Sequence, residues 1–281
     1  MHEINWSDES FNLKNSSSYH LSVQTGLDGF SFCILDSLRS RYIALKHFPL
    51  IVGKLQFLPR KVESIFDEEE KLNTSFKSVS VTYSTNKATL LPKEFNTDNG
   101  AKKLIALTSE TSRNEEIRID HITGFNYDLL YSYPVDLMTL LNRKFTDFTF
   151  QHKSIPLISS AVNQRNEKKN SLLVNFERKY IRVIAFRETQ LELYNSFYFK
   201  NESDFLYYIL NVWQNLQFDP VRDELLIGGY VADDSNYIRQ LKKYLSNISF
   251  LKPDSGIIYG NLFSKIQKHQ FVSLLNSYSC V

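Results

Sequence analysis

A chain of 281 residues that is 42% hydrophobic and 14% aromatic can bury one large core or two ordinary ones, which excludes a disordered protein. With 33 basic and 31 acidic residues the net charge is +2, so no basic excess supports bulk electrostatic binding to nucleic acid. Cys33 and Cys280 lie far apart, which excludes a disulfide scaffold and suits a reducing, cytoplasmic setting.

In chain order, residues 1–17 are polar and read as a loose arm. The stretch MHEINWSDES carries no apolar run, so no secretory leader is expected. Alternation predicts strands at 19–25, 30–36 and 41–48, the first two joined by the turn Gly26-Leu27-Asp28-Gly29. Pro59 opens a helix whose apolar side is Val62, Ile65, Phe66 and Leu72. The acidic run 67–70 is its solvated face. A hairpin is predicted from 79–85 and 88–91 around Asn86-Lys87, then a helix at 100–108. Strands at 116–122 and 127–133 meet through Thr123-Gly124, and Pro134 starts a helix to about 143. A short strand at 145–150 and a helix from 155 lead into the charged stretch 163–170, a boundary between two units.

Past that boundary the grammar repeats. Strands are predicted at 172–176, 180–186 and 191–199, then a helix at 202–217 capped by Asn201 or Ser203. Its stripe is Phe205, Ile209, Val212, Trp213 and Leu216. Within it FLYYILNVW (205–213), the longest nearly uncharged apolar run, is too short to span a bilayer. The stretch ELLIGGYVADDSNYIRQLKKYL (224–245) is a buried strand, a glycine-pair turn and a helix at about 234–245 capped by Asp233 or Asp234. A strand at 248–251 and a helix at about 261–276, with Leu262, Ile266, Phe271 and Leu274 inward, complete the pattern. Each half opens with three strands and a helix and then alternates strand with helix, which suggests an internal duplication.

LLIGGYVADDSNYIRQLKKYL and GIIYGNLF (256–263) resemble loop and helix elements of the actin-like ATPase superfamily: actin, Hsp70 and the sugar kinases. HLSVQTGLDGFSFCILD (20–36) and SVTYSTNKATLLP (80–92) resemble an uncharacterised bacterial domain-of-unknown-function family (DUF3822-like) placed in that superfamily, over roughly residues 15–276. The resemblance implies an α/β fold of two ribonuclease H-like domains. Each has a mixed five-stranded sheet (βββαβαβα) flanked by helices: domain I at 18–166 with a β-rich insertion near 79–133, and domain II at 167–281. It also implies a cleft between them where ATP and Mg2+ bind in the superfamily.

The superfamily's first phosphate loop falls on Gln24-Thr25-Gly26, where Gln24 replaces the expected aspartate. The second falls on Asn175-Phe176-Glu177-Arg178, where Asn175 replaces the aspartate and Phe176 the glycine. Magnesium favours hard anionic oxygen ligands, which neutral amides are not. The resemblance therefore marks Thr25, Gly26, Asn175, Gly228, Gly229 and Tyr230 as candidate binding residues, with no catalytic residue and no resident metal. Gly228-Gly229 permits two readings, a sharp strand-to-helix turn or the wall of a ligand pocket beside Tyr230. Asp120-His121 reads as structural, because strand neighbours point to opposite faces. The expectation is a cytoplasmic, catalytically degenerate binding or assembly scaffold with a protein partner, analogous by fold to actin-like components of pilus and secretion machines. The alternative is an ATPase or small-molecule kinase working in the cleft.

Overall fold

The computed structural model describes residues 3–50, 52–110, 112–260, 263 and 266–280. Three antiparallel strands, β1 (Ile4–Ser7) aside, start the first sheet: β2 (Tyr19–Gly26), β3 (Gly29–Asp36) and β4 (Arg41–Phe48). Their alternation places Leu21, Val23, Phe30, Phe32, Ile34 and Ile43 in one core. Helix α1 (Leu58–Glu68) covers that core with Leu58, Val62, Ile65 and Phe66. β1 pairs with β4, so the stretch read as a loose arm holds a strand. The cause is Trp6, which is buried and packs edge-on to Phe263 at 4.8 Å.

β5 (Ser78–Ser84) does not turn back into a hairpin. It runs parallel to β2, while β6 (Ala88–Pro92) leaves for a separate sheet. Val79, Val81 and Tyr83 belong to the main core, whereas Leu91 belongs to a small one, so one side of the expected hairpin is drawn each way. β6, β7 (Glu115–His121) and β8 (Tyr127–Pro134) form a three-stranded antiparallel sheet, with α2 (Asp98–Thr108) laid on it through Ala101 and Ile105. The chain returns through α3 (Val135–Lys144) to β9 (Thr149–His152), which pairs parallel to β5.

After α4 (Ser154–Gln164) the second sheet follows as β10 (Ser171–Phe176), β11 (Tyr180–Arg187) and β12 (Gln190–Tyr198). It continues through α5 (Glu202–Asn215), β13 (Glu224–Gly229), α6 (Asn236–Leu241) and β14 (Ile248–Phe250). Asn201 caps α5, its side chain accepting from the Asp204 N–H. Ser235, not Asp233 or Asp234, caps α6, which is shorter than the apolar spacing implies.

The second sheet has the order β12-β11-β10-β13-β14. The first has β4-β3-β2-β5-β9 in the same arrangement, but it is seven-stranded rather than five. The additions on β4 are β1 and β15 (Ile258–Tyr259). Residues expected to belong wholly to the second unit therefore return to the first. Phe263, Phe271, Leu274 and Leu275 cluster with Cys33, Leu35, Tyr42 and Leu45 on its inner face. The single final helix expected at about 261–276 is instead short 3-10 turns and one α turn, α7 (Val272–Leu275). Leu262 of that expected helix lies outside the described residues. α4 and α7 pack on each other between the sheets, with Leu157, Ile158, Ala161 and Val272 meeting Leu173, Ile184 and Leu226 of the second. α5 and α6 cover that sheet's outer face.

Candidate functional site

The carboxyl ends of β2, β5, β9, β10 and β13 converge where the two halves meet, the usual place for a ligand crevice in an open α/β sheet. Two tight hairpins close on it. The β2–β3 turn has Gly26 opposite Gly29, leaving Leu27-Asp28 at its tip. The β10–β11 turn is closed by Glu177 N–H donating to Tyr180 O at 2.8 Å, leaving Arg178-Lys179 at its tip.

Gly26 is fixed by its neighbour strand, since a Cβ there meets Ser84 O at 2.7 Å. Thr25 beside it is fully buried and its Oγ1 has no hydrogen-bond partner among the described residues. Gln24 does not face open cleft. Its Oε1 accepts a hydrogen bond of 2.6 Å from Ser273 Oγ, so the returning C-terminal segment covers it.

In the second turn Phe176 points away from the cleft. Its ring packs on Phe205 and Tyr237 at 4.9 and 5.8 Å, inside the α5–α6 core. Bulk from Phe176 therefore does not fill the crevice; Glu177 occupies it. The Glu177 carboxylate is buried and ion-paired to Lys153 Nζ and Arg182 Nη1, each at 3.0 Å. Burial works to raise its pKa, but Arg182 and Lys153 outweigh burial and hold it below the ordinary glutamate value. Ser84 Oγ approaches the same oxygen at 3.5 Å. Asp28, across the gap, is pushed up by burial and then by Glu177.

Behind this pair the network continues. Arg182 Nη2 donates to Thr85 O at 2.6 Å, and His152 Nε2 lies 3.0 Å from the same carbonyl. Ser154 N–H donates to His152 Nδ1 at 3.1 Å, so Nε2 carries the ring proton and donates to Thr85. Burial, then Arg182, keeps His152 neutral far below the ordinary histidine range. Asp120 accepts the His152 backbone N–H at 2.6 Å, while His121 pairs with Asp128 at 2.9 Å. The two neighbours thus serve separate partners.

The glycine pair packs against β10. Gly229 has φ +80, and a Cβ there meets Phe176 O at 2.1 Å; at Gly228 it meets Asn175 Oδ1 at 3.1 Å. The positive φ and the close backbone approach account for Gly229, whereas Gly228 is bounded by the side chains of Asn175 and Leu251. Asn175 is buried and its Nδ2 has no hydrogen-bond partner among the described residues. Tyr230 alone of this group reaches the crevice. Its ring lies 5.6 Å from His47 and 6.2 Å from Phe271, and its hydroxyl faces Ser31 and Gln24. A cavity of about 470 Å³ remains beside it, bordered also by Asp28, Leu50, Phe176, Glu177, Arg178 and Tyr237.

Sequence reasoning missed Lys153, Arg182 and Ser273. Arg182 left a signal, a lone cation inside the apolar strand YIRVIAF, which requires a buried partner. Lys153 and Ser273 left none, because their partners are distant in sequence. Among the described residues no three His, Cys, Asp or Glu side chains gather in a metal-ligand group, and no helix is long and apolar enough to cross a membrane.

The architecture recurs in solved structures. A Bacteroides thetaiotaomicron protein with actin-like ATPase fold and unknown function superposes with TM-score 0.75 at 25% identity, covering 86% of this chain and 93% of that one. A PilM–PilN type IV pilus biogenesis complex gives TM-score 0.60 at 10% identity, covering 92% of this chain and 98% of that one. The ethanolamine utilization protein EutJ from Carboxydothermus hydrogenoformans gives 0.52 at 7%, covering 92% and 88%. Among curated proteins none matches. The mixed α/β architecture is thus that of the actin-like ATPase fold, and the match over residues 8–248 makes this chain a member of the family described as protein of unknown function (DUF3822).

Proposed function

We propose that this protein is a cytoplasmic binding or assembly scaffold, built from two ribonuclease H-like units by internal duplication, whose cleft has given up nucleotide chemistry. The carrying observation is Glu177: a buried carboxylate with Lys153 and Arg182 as its own cations stands at the mouth of the second turn. An incoming phosphate meets that fixed negative charge, and the two buried cations beside it are already turned toward Glu177. The amides Gln24 and Asn175 replace hard anionic donors, and Gln24 is engaged by Ser273. These residues do not fit a magnesium nucleotide. The shared strand order of the two sheets supports the duplication. A protein of similar fold occurs in a PilM–PilN complex; that likeness carries fold alone, and a protein partner for this chain rests on the proposal.

One observation favours the second reading, an ATPase or kinase. The 470 Å³ cavity beside Tyr230 and Arg178 offers aromatic and cationic walls. Thermal unfolding with ATP or ADP at about 5 mM, with magnesium, separates the two. A ligand that binds only the native state raises the melting temperature. The scaffold reading expects no change; a saturable rise, together with hydrolysis well above background, overturns it.

A further inference from the structure

We propose that Glu177 is a tethered ligand: its carboxylate, carried on the second half of the molecule, bridges to the first half and fixes the crevice with no bound molecule in it. This deepens the scaffold reading and rests on it, since in that reading no nucleotide spans the two walls.

The contacts that cross the crevice are short and dry. Glu177 follows β10 of the second sheet and Lys153 follows β9 of the first, and their charged atoms lie 3.0 Å apart. Ser84, at the end of β5, reaches the same Glu177 oxygen at 3.5 Å. From β11, Arg182 sends Nη2 across to the Thr85 carbonyl at 2.6 Å. That carbonyl also accepts from His152 Nε2 at 3.0 Å, so one acceptor of the first half takes a donor from each side. Tyr194 OH of β12 meets Ser154 Oγ, at the start of α4, at 3.0 Å.

The turn makes the carboxylate rigid. Glu177 N–H is held by Tyr180 O at 2.8 Å, one residue beyond the end of the β10–β11 ladder. The side chains of Lys153, Glu177 and Arg182 are 6%, 5% and 1% exposed. Swinging the halves apart strands the Lys153 charge on one wall and the Glu177–Arg182 pair on the other, which is costly for desolvated groups. An exposed bridge in the same place would exchange its partners for water at little cost. The apolar seam of Leu157 and Ile158 against Leu173, Ile184 and Leu226 holds the walls together, but apolar contact is non-directional and leaves their angle open. The Glu177–Lys153 bridge and the Arg182–Thr85 bond act at set distances and fix it. The guanidinium also shows what can replace Glu177. Arg182 Nε and Nη1 make no directed hydrogen bond among the described residues, so the hold on Glu177 is ionic and two donors stay open to a small free carboxylate.

Double electron–electron resonance on the full chain tests it. Spin labels go on Arg60→Cys of α1 and Tyr207→Cys of α5, both exposed, in a Cys280→Ser background; Cys33 is buried and stays unlabelled. With the network intact, one narrow distance is expected, the same with and without ATP and magnesium at about 5 mM. A broad or double distribution that nucleotide leaves unmoved overturns the clamp and leaves the scaffold reading standing; one that nucleotide narrows overturns both. Glu177→Ala is expected to widen the distribution about twofold or more, and sodium formate at about 100 mM to narrow it again where sodium chloride does not. An unchanged width in that folded variant, or a wide one that formate leaves alone, overturns the proposal. Should Glu177→Ala fail to fold, Lys153→Met breaks the same bridge from the other wall. It is expected to widen the distribution with no response to formate, and an unchanged width overturns the proposal.

Discussion

The β2–β3 and β10–β11 turns hold the same place in the two halves, and their polar groups are held by different means. The first keeps small residues, Thr25 and Gly26, and has its one amide, Gln24, satisfied by Ser273 from the far end of the described chain. The second holds a buried carboxylate, Glu177, with two cations to stabilise it. The first turn is closed by neutral hydrogen bonding, the second by charge. A neutral bond contributes about 1 kcal/mol net, whereas removing one partner of a buried ion pair costs about 3–5 kcal/mol. The two turns therefore differ in what a single substitution undoes.

The largest expected effect lies in the second turn. Glu177→Gln leaves Lys153 and Arg182 buried without their anion and is expected to destabilise by about 3–5 kcal/mol in urea unfolding. A loss under about 1 kcal/mol in that titration would show the network to be solvated, and the contrast between the turns would disappear. Gly229→Ala follows at about 3 kcal/mol, because φ +80 and the approach to Phe176 O both resist a Cβ. Gly256→Ala, with its Cβ at an ordinary 3.4 Å from Asp254 Oδ1, is the matching control and should stay within about 0.5 kcal/mol.

Acid acts on the sheet that carries the first turn. Burial lowers His20 and His47 to about 4 from an ordinary 6.5. His47 accepts or donates at 2.7 Å with Ser31 Oγ, close to Tyr230. A depressed histidine is protonated first in the unfolded chain, so stability is complete above about pH 6.5 and falls as pH drops toward about 4. At about pH 5.5 each of the two should have lost about 1 kcal/mol, and His152, lowered further, adds to the fall. Urea midpoints at pH 7.5 and 5.5 check this, and His47→Asn should reduce the difference. Equal midpoints would place these rings in contact with solvent. Apart from the Gly256→Ala control, the smallest effect is Ser273→Ala, expected at about 1 kcal/mol through the loss of one neutral bond to Gln24. A loss as large as that of Glu177→Gln would erase the distinction drawn between the turns.

Much of the fold was legible because it is written in local periodicity. Phe30, Phe32 and Ile34 on one face, or Phe205, Ile209, Val212 and Trp213 on one stripe, are local statements, and the core clusters contain them. The errors come where long-range packing decides. Tyr83 and Leu91 look like two sides of one hairpin, yet each follows a different core. Residues 272–275 read as part of a long helix, yet only one α turn fits between the sheets. The site divided similarly. Gly229's turn was visible in the glycine pair itself. Phe176 takes the α5–α6 face of β10, and a strand buried on both faces gives no sign of that in its sequence. The three ion-network residues come from the start of α4, the β10–β11 turn and β11, and no spacing rule links them.

The return of Ile258, Tyr259, Phe263 and residues 271–275 to the first sheet also sets an order of events during synthesis. Cys33, Leu35, Tyr42 and Leu45 are made early, but their covering side chains Phe263, Phe271, Leu274 and Leu275 come more than two hundred residues later. Until that segment emerges, the nascent N-terminal half carries a bare apolar sheet face, the kind of surface that chaperones hold and that aggregates when crowded. The second sheet, whose strands and helices are contiguous from β10 to β14, faces no such delay on its α5–α6 side. The half made first is thus the half finished last.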